Sequence, residues 1–255
     1  MREQSGQLDS NFKIISEHNL PECGALKKLF EGRNVVIVGA GPSADDAFDY
    51  FKRYRNKLMI FATGHIVRSL IKGGIIPDVI ILTDPQTHMY KQIEGLDLGS
   101  VPLILLSTGS ASILKNYNGP IYVAYQNGYE PAEKMAKSLG ATLFETGGSV
   151  TTTALDIAIR FGAGKVIFAG VDLAYTGGNS HAQGQGRKIE STDALRKVKS
   201  CKGGIVYTSK NLDIYRKWIE RRILNEQNLV VYNTGAGADI KGTVWKSWDD
   251  MVQMQ

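Results

Sequence analysis

The sequence predicts an α/β protein with a Rossmann-like, mostly parallel sheet carrying helices on both faces. Three observations predict it. Short runs of β-branched residues alternate with amphipathic segments along most of the 255 residues, the pattern of repeated βαβ units. The runs are apolar at every position, as in Val35-Val36-Ile37-Val38 and Val79-Ile80-Ile81-Leu82, so both faces of each strand are expected to be covered. Most runs stop at small or hydroxylated residues before a helical pattern begins, as at Gly39-Ala40-Gly41-Pro42-Ser43, Ala62-Thr63-Gly64-His65 and Thr146-Gly147-Gly148-Ser149. In a parallel sheet these ends share one edge, where such folds bind ligands.

Taken in order, residues 1–30 are polar and broken by Pro21 and Gly24, and are expected to be a leader or the remnant of an upstream segment. The main domain is expected over 31–243 and a tail over 244–255. Strands are predicted at 35–38, 58–62, 78–83, 102–106, 120–124, 166–170 and 229–232, and a further one at 141–144. Helices are predicted at 44–56, 65–73, 130–138, 149–162 and 209–227, with short ones near 88–93 and 110–116. The first helix has Ala44, Ala47, Phe48 and Phe51 on one stripe and Ser43 as its expected N-cap. Residues 172–208 are polar and interrupted by Gly177-Gly178, Gly184, Gly186 and Gly203-Gly204, which reads as a long loop able to act as a lid.

Bulk properties exclude several classes. Hydrophobic residues make up 43% and charged residues 22%, as in globular proteins. No apolar run approaches the ~20 residues of a membrane span, and no secretory h-region is present, so no membrane contact is expected. Two cysteines, Cys23 and Cys201, are too few for a disulfide framework, and a cytoplasmic setting is expected. The net charge of +5 is spread over scattered basic residues, which fits solvated helix faces and not a nucleic-acid footprint, while remaining favourable for an anionic small molecule. The residues do not specify an oligomeric state.

The turn Gly39-Ala40-Gly41-Pro42-Ser43 reads as the floor of a nucleotide site, with backbone N–H groups aimed at a phosphate. It lacks the third glycine of a dinucleotide fingerprint, and the second strand ends in Ala62-Thr63 without the ribose-binding acid, so NAD is disfavoured. No Walker loop, nucleophile elbow or metal-spaced histidine pair occurs. Asp84, ending a strand in Thr83-Asp84-Pro85-Gln86, can serve as general base, orient a hydroxyl or hold magnesium through water. Asp172 follows the strand at 166–170 on the same edge as a second carboxylate. His181, in the polar segment, can take the acceptor proton or donate to a departing phosphate. Gly147, Gly148 and Ser149 open a helix toward the ribose or base, and Thr63 and Gly64, at another strand end on the same edge, are further candidates to bind the nucleotide. His65 and His88 are weaker candidates. Arg187 and Lys188 can bring positive charge to the leaving phosphate on closure.

Several of these segments together carry a family resemblance. They are Gly39-x-Gly41-Pro42-Ser43, Gly74-Ile75-Ile76-Pro77-Asp78 running into Thr83-Asp84-Pro85-Gln86, Gly147-Gly148-Ser149-Val150, Gly170-Val171-Asp172-Leu173-Ala174 with Ser180-His181-Ala182, and Asn233-Thr234 with Gly237-Ala238-Asp239-Ile240-x-Gly242. The set resembles the central domain of the motility accessory factor (Maf) proteins, shared with the archaeal 6-hydroxymethyl-dihydropterin diphosphokinase, over roughly residues 30–243. The fold implied is similar to that of certain bacterial sialyltransferases. The resemblance implies a glycosyltransferase that moves a nonulosonic sugar from a CMP donor to a hydroxyl, with flagellin Ser/Thr as the implied acceptor. Its other branch implies pyrophosphate transfer from ATP to a pterin with magnesium, where Asp84 and Asp172 would be the metal ligands. No tightly bound cofactor is implied in either case. A nucleotide-binding module without catalysis is the third reading. Maf proteins carry segments flanking this domain, and the related sialyltransferases place a catalytic histidine just before the late helix, where this chain reads Tyr207-Thr208-Ser209.

Overall fold

The computed structural model describes residues 11–176, 192 and 194–253. Nine strands form one parallel sheet: β1 Asn34–Val38, β2 Leu58–Thr63, β3 Val79–Leu82, β4 Leu103–Leu106, β5 Ile121–Gln126, β6 Leu143–Phe144, β7 Lys165–Ala169, β10 Val230–Asn233 and β11 Val244–Trp245. Their order across the sheet is β11-β10-β7-β1-β2-β3-β4-β5-β6. The chain runs outward from β1 to β6 and then returns to the other side of β1 as β7. The order therefore reverses between β1 and β7, which pair in parallel from Asn34↔Lys165 to Val38↔Ala169. In parallel sheets such a reversal point marks the place at the carboxyl ends of the strands where ligands bind.

The unbroken apolar runs follow from this burial. Val35 and Ile37 enter a core with Ala154, Leu155, Ile157 and Ala158 of α7 (Val150–Arg160) and with Ile219 and Ile223 of α8 (Lys210–Leu224). Val36 and Val38 face the other core, built with Phe51 of α3 (Phe48–Arg53), Ile66, Val67 and Leu70 of α4 (Gly64–Lys72) and Ile113 of α5 (Ala111–Asn116). Ala132 and Ala136 of α6 (Glu130–Leu139) cluster with Val123 and Tyr125 of β5. No helix among the described residues is long and apolar enough to cross a membrane.

Four local expectations change. The helix predicted at 44–56 is a 3-10 helix Pro42–Ala47, then α3, then a 3-10 turn Arg55–Lys57. The tighter winding starts where Ala44 N bonds Gly41 O at 3.0 Å, so Gly41 and not Ser43 is the N-cap. Part of the predicted loop 172–208 is an antiparallel hairpin, β8 Arg196–Lys199 with β9 Ile205–Thr208. Gly203 and Gly204, read as interruptions, supply its turn with φ of +91° and +76°, a region in which other residues are strained. The hairpin is tied to the sheet edge by Tyr175 N to Tyr207 O (2.8 Å) and Cys201 N to Gly237 O (3.1 Å).

The first and last described segments both join the body. Residues 11–17 are helical (α1), and Phe30 of α2 (Lys27–Phe30) stacks edge-on against Phe61 and Phe161. The predicted tail contributes β11 and α9 (Trp248–Gln253), with Trp248 against Tyr50 and Phe51.

Candidate functional site

The loops after β1 and β7 meet at the reversal point and bind each other tightly. Gly39 N donates to Ala169 O and Gly41 N to Gly170 O, both at 2.8 Å. The buried Asp172 carboxylate accepts from Ser43 twice, Oδ2 from the amide at 2.9 Å and Oδ1 from the hydroxyl at 2.5 Å. Ala236 N adds a third bond to Oδ1 at 3.4 Å. Burial pushes the Asp172 carboxyl above its usual range, further than the bonds from Ser43 and Ala236 pull it down.

The expectation that this turn offers its amides to a phosphate is corrected accordingly. Pro42 has no N–H, and those of Gly39, Gly41 and Ser43 are all used inside the protein. The Ala40 amide alone in the turn has no acceptor among the described residues. The glycines answer to close packing: a Cβ on Gly41 would lie 2.6 Å from both Asp172 Oδ2 and Gly170 O. Asp172 supplies the negative charge that a ligand was expected to bring.

Two other helix starts hold first-turn amides that no side chain caps. Thr63 caps α4 by position, but its hydroxyl donates to Val38 O at 3.0 Å, so no side chain covers the first-turn amides. Ser149 caps α7 through a reciprocal box with Thr152, which satisfies Thr152 N and Ser149 N. Val150 N and Thr151 N at the start of α7 have no acceptor in the described residues. Both helix starts border the same cleft and lend it partial positive charge.

The cleft has two adjoining chambers that share His65, Ser149 and Val150. The inner one, about 180 Å³, lies at the reversal point under Gly39-Ala40-Gly41, Thr63, Asp172 and Tyr215. The outer one, about 320 Å³, is bordered by Gly64, Asp84, Thr108, Gln126, Gly148 and Ser149. Gly148 adopts φ +90°, and a Cβ there would meet Tyr215 Cε1 at 3.0 Å. Gly147 lies behind the turn under Trp218, whose ring a Cβ would strike at 2.5 Å. The glycine pair thus lets α8 close over the start of α7.

Of the residues singled out in the sequence, Gly39, Gly41, Thr63, Gly64, Gly148 and Ser149 border the cleft, whereas Pro42, Ser43 and Gly147 build its walls from behind. Asp84 borders the outer chamber, where Oδ1 accepts from Gln86 N at 2.9 Å and closes an Asx turn. Asp172 borders the inner chamber with both oxygens occupied, so the two carboxylates serve different chambers. Among the described residues no three His, Cys, Asp or Glu side chains cluster for a metal. His181, Arg187 and Lys188 lie outside the described residues. Sequence reasoning missed Tyr215, which lies within the helix predicted at 209–227, and Gln126, whose strand extends two residues past its predicted end. It also underrated His65, which touches both chambers.

Comparison with known proteins places this geometry. The model of the family described as 6-hydroxymethylpterin diphosphokinase MptE-like matches residues 8–178. The solved structure of the Maf glycosyltransferase from Magnetospirillum magneticum AMB-1 superposes with a TM-score of 0.72 at 22% sequence identity. The match covers 86% of this chain and 34% of that one, so the chain spans about a third of that structure's length. At this identity the likeness is one of fold. No curated protein matches the sequence.

Proposed function

The chain belongs to the MptE-like family, and on that premise we propose that it is a nucleotide-dependent transferase acting on a hydroxyl acceptor, with a CMP-activated nonulosonic sugar as donor. The observation that carries this reading is the convergence of two uncovered helix starts, α4 and α7, on one cleft at the reversal point of the sheet. A nucleotide phosphate beside Gly64 and Val150 would meet backbone N–H groups already in place, and charge building on it during departure would be stabilised without reorganisation. The neutral polar groups of the outer chamber, Thr83, Thr108, Gln126 and Thr146 beside Asp84, suit a polyhydroxylated group. Asp84 has one oxygen outside its turn bond and is assigned to orient or deprotonate the acceptor hydroxyl. Flagellin Ser/Thr is the proposed acceptor class, carried from the family resemblance.

The family description favours a second reading, pyrophosphate transfer from ATP to a hydroxymethylpterin. Magnesium travelling with ATP keeps most of its ligands as water and phosphate oxygens and needs one or two carboxylates. Asp84 can supply one; Asp172, committed to Ser43 and Ala236, fits poorly. Melting points with CMP, CDP, ATP and ATP with Mg²⁺ separate the readings, because a ligand bound only by the folded state raises the transition. A preference for cytidine nucleotides with sugar turnover supports the lead. A preference for ATP with Mg²⁺ and pterin turnover replaces it with the second. Nucleotide binding without either turnover leaves a binding module.

A further inference from the structure

Beside the outer chamber lies an open cavity of about 370 Å³ bordered by six residues: His65, Arg68, His88, Met89, Lys91 and Gln92. Four of the six carry cationic or protonatable side chains and none carries an acid. His65, Met89 and Gln92 also border the 320 Å³ chamber, so the two spaces are neighbours on either side of these residues.

The placement of the four basic groups follows from two helical spacings. His65 and Arg68 are three apart on α4, which puts them on one face near its positive end. His88 and Lys91 are three apart on the 3-10 helix Thr87–Gln92, where residues i and i+3 eclipse. The two pairs meet across the cavity. Arg68 also ties the two elements together, since its Nη2 donates to Lys91 O and Glu94 O, each at 2.9 Å. Those two bonds fix the guanidinium plane and leave its other edge directed away from them. A guanidinium held in this way is suited to a planar or tetrahedral oxyanion.

We infer that this cavity is an oxyanion subsite holding a second anionic group of the substrate, a phosphate or a carboxylate, while the reacting end occupies the chamber beside Asp84. The inference rests on the proposed reading of the cleft as a substrate site. It adds that the substrate carries negative charge at two separated points, one at the start of α7 and one between Arg68 and Lys91.

The test uses inorganic pyrophosphate and glucuronate as probes, measured by calorimetry at fixed ionic strength because exposed charges are screened by salt. The wild type should bind at least one of them saturably, and the preferred probe identifies the group as phosphate or carboxylate. Arg68→Gln with Lys91→Gln should weaken that binding at least tenfold while changing CMP binding less than twofold. Arg68 has internal bonds whose loss could shift the 3-10 helix, so His88→Gln with Lys91→Gln, both exposed positions, provides an independent variant expected to weaken binding at least threefold. Wild-type affinity in both variants, or no saturable binding of either probe, overturns the inference. Loss of probe binding in the variants of a protein that binds no nucleotide would remove the proposed function and leave the oxyanion subsite standing.

Discussion

Ser43 and Asp172 are 129 residues apart and are joined by two hydrogen bonds, through the serine amide at 2.9 Å and its hydroxyl at 2.5 Å. This pair fixes the spacing of the two loops at the reversal point, so it shapes the inner chamber without filling it. Ser43→Ala removes one bond to a charged group and should cost about 1.5–3 kcal/mol. Asp172→Asn keeps the volume but presents an amide to one Ser43 donor, and should cost a similar amount. The double variant should cost clearly less than the two single losses combined, since each removes the same contact. Urea denaturation of the four proteins measures this; full additivity would show that the pair does not act as a unit.

Two buried aspartates carry opposite pH signatures. Burial raises the Asp213 carboxyl, but hydrogen bonds from Arg216, Lys217 and Arg196 outweigh it and bring it from 3.8 down to about 2. The folded state then binds this proton less readily than the unfolded chain, so its stabilisation is present above about 3.8 and is lost as pH falls toward 2. Asp172 is raised, so it favours the fold most below its unfolded value, and that contribution disappears as pH rises through its folded value. Asp213→Asn should flatten the acid limb of stability against pH, at a cost near neutrality of up to about 2 kcal/mol. Asp172→Asn should remove a slope of the opposite sign. Denaturant titrations from pH 2 to 7 read both.

What the sequence could and could not convey is visible in these same residues. The strands were legible because a strand covered on both faces needs apolar residues throughout, as Val35 to Val38 have. The edge that holds the cleft was legible for the same reason, since parallel strands put all their ends together. The use of the Gly39–Ser43 amides was not, because their acceptors, Ala169 O, Gly170 O and Asp172, come from residues over 125 positions away. The hairpin at Arg196–Thr208 was hidden by Arg196, Lys197 and Lys199, which leave its first strand without an alternating apolar face. Tyr215 sits among Leu212, Trp218 and Ile219 on α8, and nothing local distinguishes a ring over the cleft from one in the core.

Gly41 should tolerate no side chain. A Cβ there lies 2.6 Å from Gly170 O and from Asp172 Oδ2, and the carbonyl belongs to backbone that cannot swing away. Gly41→Ala should destabilise by about 1–3 kcal/mol and weaken nucleotide binding, since the displaced loop borders the inner chamber. Gly95→Ala is a useful contrast: its φ of +72° strains a side chain, but no atom lies within 4 Å of the added carbon and the cleft is elsewhere. It should lower stability with no change in nucleotide affinity.

Asp156 joins the helix that starts at the cleft to the helix that covers it. Its carboxylate, fully buried on α7, accepts from Arg160 Nε at 2.8 Å, from Arg222 Nε of α8 at 2.7 Å and from Glu145 N at 2.8 Å. Asp156→Ala leaves two guanidinium groups and one amide without this acceptor and should cost about 3–5 kcal/mol. Arg160→Ala, whose side chain is 37% exposed, should cost about 1 kcal/mol or less. A similar loss for both would show that α7 is not held to α8 through this carboxylate.

Asp84 should behave in the opposite way, with a large effect on turnover and a small one on stability. It is partly exposed, and its part in the fold is one bond, Oδ1 accepting from Gln86 N at 2.9 Å. An asparagine can accept the same bond, so Asp84→Asn should change stability by less than about 0.5 kcal/mol. The amide can neither take a proton from an acceptor hydroxyl nor hold it by charge, so the transfer rate should fall by about 10²–10⁴-fold while donor binding changes little. The useful readout is the division between kcat and the melting-point shift given by the donor. A lowered kcat with an unchanged shift places Asp84 at the acceptor, in the outer chamber where the fold positions it. A lost shift with normal kcat at saturating donor would move it to the nucleotide, and an unchanged rate would remove it from the chemistry.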